Sequence, residues 1–172
     1  ITSPNFTPLE RMKKNFSAYT DSLISADLQP DQFERPFMQQ VWSGPDERGK
    51  QAAAQAALRY YQMVGKVIPG EQKGLNYSDQ EKMAYYAKVK RGIDLLTLED
   101  TLIYGGNFGN AQFVIDSLKV LEEEMGVDHY IGWFRIPTID RQQALDAMQY
   151  FSEEVMPEFT EHEAAEPRAV SA

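Results

Sequence analysis

The chemistry open to this chain is narrowed by its short supply of reactive side chains. It has two histidines, His129 and His162, and no cysteine. Without cysteine there is no disulfide, thiol nucleophile or thiolate-bound metal, which suits a reducing cytoplasm. His162 lies in the final stretch, and His129 lies near the start of a predicted strand, so neither a Ser-His-Asp triad nor a metal site is assigned. Glu122-Glu123-Glu124 and Glu153-Glu154 look like carboxylate pairs, but they fall opposite the apolar stripes of their helices and read as solvated surface.

Gly105-Gly106-Asn107-Phe108-Gly109-Asn110 opens an amphipathic helix that Gly126 ends. Glycines ahead of a helix leave backbone N–H groups free for an anion, aided by the positive helix end. Gly105, Gly106, Asn107 and Gly109 are therefore the candidate cofactor-binding residues. The plain alternative is a tight turn with an Asn cap, the glycines serving only backbone freedom. The segment is neither a dinucleotide fingerprint nor a P-loop, for no Lys-Ser/Thr follows.

Three strand ends offer pocket residues. Ile1-Thr2-Ser3-Pro4 reads as the close of a strand, Trp42-Ser43 ends a second, and Trp133-Phe134-Arg135 ends a third. Ser3, Trp42, Trp133 and Arg135 would line the mouth of a barrel built from such strands. The aromatic rings could bound a flat ring or an apolar substrate, and Arg135 could balance an anion. Core packing competes for both tryptophans. Alternation puts Trp133 and Arg135 on one face and Gly132 and Phe134 on the other. No catalytic residue is assigned.

The elements that must position these residues follow from periodicity and punctuation. Thr7-Pro8-Leu9-Glu10 is a helix start, and Leu9, Met12, Phe16, Tyr19 and Leu23 form one stripe behind it. Residues 27–36 read as a loop, and Phe37–Trp42 as a strand apolar on both faces, as in a parallel sheet. Glu47–Val67 is an Ala-rich helix, 70–77 a polar linker, and Ser78 with Glu81 caps a helix running to about Arg91. Residues 93–104 are open between helix and a short strand at Thr101–Tyr104. Val127–Arg135 is a strand. Asp140–Val155 is a last helix with Leu145, Met148, Phe151 and Val155 as its inner stripe, closed by Met156-Pro157.

The chain has 172 residues, 42% of them hydrophobic, enough for one domain over 1–159 with a disordered tail at 160–172. A net charge of −9 argues against nucleic acid or an anionic membrane as partner. No apolar run approaches eighteen residues and no signal peptide opens the chain. Three Asn-x-Ser/Thr matches, at Asn5, Asn15 and Asn76, are read as chance. Strands alternating with helices indicate an α/β fold with a parallel sheet. Two strands are too few for a sheet, so the expectation is the C-terminal part of a (β/α)8 TIM barrel whose other strands precede Ile1.

Gly126-Val127-Asp128-His129-Tyr130-Ile131 and Phe151-Ser152-Glu153-Glu154-Val155-Met156-Pro157 resemble the ending of the luciferase-like flavin-dependent monooxygenases. FMQQVWSGPDERGKQAAAQAALRYY resembles that family's penultimate strand and Ala-rich helix. The clear likeness covers about the last third of the chain. It implies a barrel enzyme that binds reduced flavin, usually FMN, and uses dioxygen to oxidise a small organic substrate. It also implies a separate flavin reductase as possible partner and a homodimer. The family's catalytic His and main flavin contacts map to no position in this chain, and Gly106-Asn107-Phe108-Gly109 replaces the family's Gly-small-Pro turn. Two alternatives stand beside it: a deazaflavin-dependent oxidoreductase of the same fold, and a non-enzymatic helical interaction module.

Overall fold

The computed structural model describes residues 6–68 and 80–160. Ser3, the polar linker at 70–77, the Ser78 cap and the tail at 161–172 lie outside them. The first helix, α1 (Leu9–Ser25), precedes strand β1 (Pro36–Ser43) and helix α2 (Glu47–Val67). Helices α3 (Gln80–Asp94) and α4 (Leu98–Tyr104) follow. Then come strand β2 (Asn107–Gly109), helix α5 (Ala111–Met125), strand β3 (His129–Trp133), helix α6 (Arg141–Glu154) and a short α7 (Pro157–Thr160). The fold is helix-rich α/β around one small parallel sheet.

The sheet order is β2-β1-β3. β3 pairs with the first part of β1, from Pro36↔His129 to Gln40↔Trp133, and β2 with its end, from Val41↔Asn107 to Ser43↔Gly109. On the β2 side, β1 is thus unpaired from Pro36 to Gln40, and the outer edge of β3 is open among the described residues. Consecutive barrel strands lie side by side in chain order with helices on one face. Here β1 sits between the later two strands, and helices cover both faces.

Alternation along β1 decides which core each face joins. Phe37 packs with Phe16 of α1 and with Val114, Ile115 and Leu118 of α5. Trp42, on the opposite face, packs with Phe108 and with Ala53, Ala54, Ala57 and Tyr61 of α2. The alanines of α2 let its backbone approach the sheet closely. Phe37, Val41, Phe108 and Val114 are completely buried, each worth roughly 1.5–3 kcal/mol of transfer free energy.

Several elements differ from the sequence reading. Within the 105–110 segment Asn107–Gly109 is a strand rather than an open turn, because β2 docks on β1 over three residues. Residues 98–104 are helix, fixed by a capping box in which Thr97 and Asp100 satisfy each other's backbone N–H. Thr7 caps nothing: α1 begins after Pro8 with no side-chain cap, and Tyr19 is exposed. On α6 the inner stripe is Ala144, Ala147, Phe151 and Val155, while Leu145 and Met148 are exposed at 44% and 48%. The helix rests on its small residues because they permit the nearer approach. The chain does not stop at Met156-Pro157 but makes the further turn α7.

Candidate functional site

In an open parallel α/β sheet, ligands bind beyond the carboxyl ends of the strands. Here that edge is made by Gln40–Ser43 of β1, Asn107–Gly109 of β2 and Gly132–Trp133 of β3. Residues 43–44 and 109 are joined by Gly44 N–H donating to the Gly109 carbonyl at 3.1 Å.

Gly105, Gly106, Asn107 and Gly109 are all buried. A Cβ on Gly106 would lie 2.7 Å from the Gln40 carbonyl oxygen, and one on Gly105 2.7 Å from that of Thr101. Phe113 fills the space over Gly109. Each glycine thus admits a close neighbour: Thr101 of α4 at Gly105, the β1 backbone at Gly106 and Phe113 of α5 at Gly109. Asn110 takes the plain role of N-cap, accepting from Phe113 N–H at 3.0 Å.

Trp42 is 5% exposed and enclosed by the core that α2 builds. It lines no pocket. Trp133 and Arg135 differ: Trp133 is half-buried and Arg135 is exposed, both at the carboxyl end of β3. Gly132 and Phe134 do share the other side, for a Cβ on Gly132 would sit 2.7 Å from the Phe134 ring. The Trp133 indole N–H donates to the Arg135 carbonyl at 2.9 Å, which fixes both the ring and the turn carrying the guanidinium. Ser3 lies outside the described residues.

Sequence reasoning missed Tyr60, which α2 brings against Trp133 edge-to-face, with centroids 5.2 Å apart at 84°. Tyr60 also meets Tyr61, and Tyr61 meets Phe6, so four rings run in series from Phe6 to Trp133. The one available signal was the Tyr60-Tyr61 pair near the end of an Ala-rich helix.

Three buried polar side chains stand out at this edge. Gln40 and Ser43 are fully buried, Asn107 is 2% exposed, and none makes a hydrogen bond of good geometry among the described residues. An unsatisfied buried amide or hydroxyl costs about 1–3 kcal/mol. Tyr130, beside them, donates to Gln39 Oε1 at 3.4 Å. Burial pushes its phenol far above the usual range, opposed by the nearby Asn107 amide.

The opposite end of the sheet carries a cleft of about 340 Å³ lined by Lys13, Thr20, Arg35 and Glu124. Lys13, Glu124 and Arg35 are already engaged: Lys13 meets Glu124 at 2.7 Å, and Arg35 donates to the Met125 carbonyl and Thr20 Oγ1, each at 3.2 Å. Among the described residues no His/Cys/Asp/Glu group could hold a metal, and no helix is long and apolar enough to cross a membrane. His129 is exposed and pairs with Glu34 at 3.3 Å.

These features define a parallel α/β protein with an aromatic and cationic corner at the sheet's carboxyl edge. No known family model and no curated protein matches the chain.

Proposed function

We propose that this chain belongs to a flavin-dependent oxidoreductase of the luciferase-like kind, a monooxygenase acting on a small organic substrate. What carries the reading is the corner of Tyr60, Trp133 and Arg135, in a chain whose ending resembles that family. The residues that carry the resemblance are scaffold. Asp128 accepts from Arg35 N–H at 2.7 Å and ties the start of β3 to that of β1. Val127 and Val155 are buried in the core beside α5.

A flavin fits the donor set here: rings to receive a flat heterocycle, and a guanidinium with no hydrogen bond or ion pair among the described residues. When bound, reduced flavin supplies the two electrons and the dioxygen reactivity that place one oxygen atom in a substrate and the other in water. The protein's own residues orient the ring and hold its charge. The barrel belongs to the same proposal. It would require β1 to give up its central place between β2 and β3, and the helical layer on one face to move aside. A flavin reductase and a homodimer follow from the resemblance alone, and a cytoplasmic setting from the lack of cysteine.

Titration of the protein at its natural length with FMN, followed by the visible flavin spectrum, tests the reading. Micromolar binding of FMN supports it. Preference for a deazaflavin moves the protein to the related oxidoreductases, and binding of neither removes the flavin.

A further inference from the structure

We infer that Tyr60, Trp133 and Arg135 divide one ligand between them, the two rings receiving a planar heterocycle and Arg135 its anionic tail. The inference rests on the flavin reading and specifies it, with FMN as the ligand. Three observations support the assignment. The Tyr60 and Trp133 rings stand nearly perpendicular, at 84°, so they form two walls of a corner rather than a closed stack. Both are half-buried, which leaves ring surface for a third partner to meet by the offset or edge-on geometry that aromatic groups favour. The indole N–H is already spent on the Arg135 carbonyl, so Trp133 offers a ligand its ring surface and not a donor.

That same bond holds the indole against the backbone that carries Arg135. Arg135 is exposed, and a guanidinium's fixed fork of donors matches a phosphate. An uncharged ring would use half of the corner, and a cationic ligand would meet repulsion. The other tryptophan offers nothing comparable, being enclosed by the core.

The test compares FMN with riboflavin, which has the ring and lacks the phosphate, using flavin emission and full-length protein. Emission should be quenched on binding, since quenching by an indole needs contact. Arg135→Ala should weaken FMN about ten- to a hundredfold, the worth of one charge-assisted hydrogen bond, and leave riboflavin unchanged. Trp133→Leu should weaken both flavins about tenfold and restore most of the emission. Trp133→Phe, which keeps a ring, and Tyr60→Phe should retain most of the affinity. Exposed Glu153→Gln sets the baseline, and far-ultraviolet circular dichroism checks each fold. Equal loss of both flavins, or of neither, in Arg135→Ala overturns the charge assignment. Full quenching in Trp133→Leu overturns the ring assignment. If the parent binds no flavin, the functional reading falls first, an outcome distinct from a parent that binds and variants that bind alike.

Discussion

The two ends of the sheet are built on opposite terms. At the amino end Arg35 meets three partners, using its backbone N–H on Asp128 and its guanidinium on Met125 and Thr20. Gly126 takes the left-handed conformation, φ 62°, that closes α5 just before β3. At the carboxyl end Gln40 and Ser43 are buried with no partner among the described residues, and Arg135 is exposed. A buried network fully satisfied rigidifies; one left unsatisfied costs stability. The amino end thus holds the fold, and the carboxyl end keeps unmet hydrogen-bonding capacity where ligands of parallel sheets bind. Local violations of good packing practice tend to mark function.

The contrast can be broken most forcefully at the core of the amino end. Phe37→Ala empties a fully buried site between α1, α5 and β1 and should cost about 3–5 kcal/mol, read from the urea midpoint. Arg35→Met comes next. It keeps the aliphatic stem and removes two bonds from a charged donor, for a loss of about 2 kcal/mol. If Arg35→Met is as stable as the parent, the amino end is not the clamp described.

At the carboxyl end the sign should reverse. Gln40→Met has nearly the same volume and removes two polar atoms that lack partners. Such a replacement should leave stability unchanged or raise it by about 1–2 kcal/mol. Opposite signs for Arg35→Met and Gln40→Met, measured in the same urea series, would make the comparison quantitative. A loss of 2 kcal/mol or more in Gln40→Met would mean that the amide is satisfied after all, and the two ends would no longer differ in kind.

How much of this was legible depended on which signals were local. Helix α2 was readable to the residue, because Asp46 caps it, accepting from Gly49 N–H at 2.6 Å. Helix α5 was readable too, since Asn110 and Gly126 punctuate it. Strand β2 was not. Gly-Asn-Phe-Gly has the composition of a turn, and only pairing with Val41–Ser43 of β1 makes its last three residues a strand. The inner face of α6 was misread by one position, because hydrophobicity favoured Leu145 and Met148 while packing favoured Ala144 and Ala147. At the site, alternation placed Gly132 and Phe134 together, as the structure does. Tyr60 stayed hidden, since its place depends on how α2 crosses β3. Trp42 looked the equal of Trp133 in sequence, and only the alanine layer of α2 set them apart.

The smallest expected effect lies away from both ends and checks that burial, not polarity itself, sets the magnitudes. Asp100 closes the capping box of α4: its carboxylate accepts from the Thr97 hydroxyl at 2.6 Å and the Thr97 N–H at 2.9 Å. Those two bonds, the hydroxyl's foremost, lower its pKa below the ordinary carboxylate value. A folded pKa below the unfolded one means that the unfolded chain binds the proton more readily. The stabilisation is therefore complete above the unfolded pKa of about 4 and fades as pH falls through the lower folded value. Asp100→Asn should be slightly less stable than the parent at pH 6, and the gap should narrow towards pH 3. Urea midpoints of the two proteins at both pH values decide it. A gap that does not change with pH would show that the cap works through its shape alone, and charge would drop out of the account of α4.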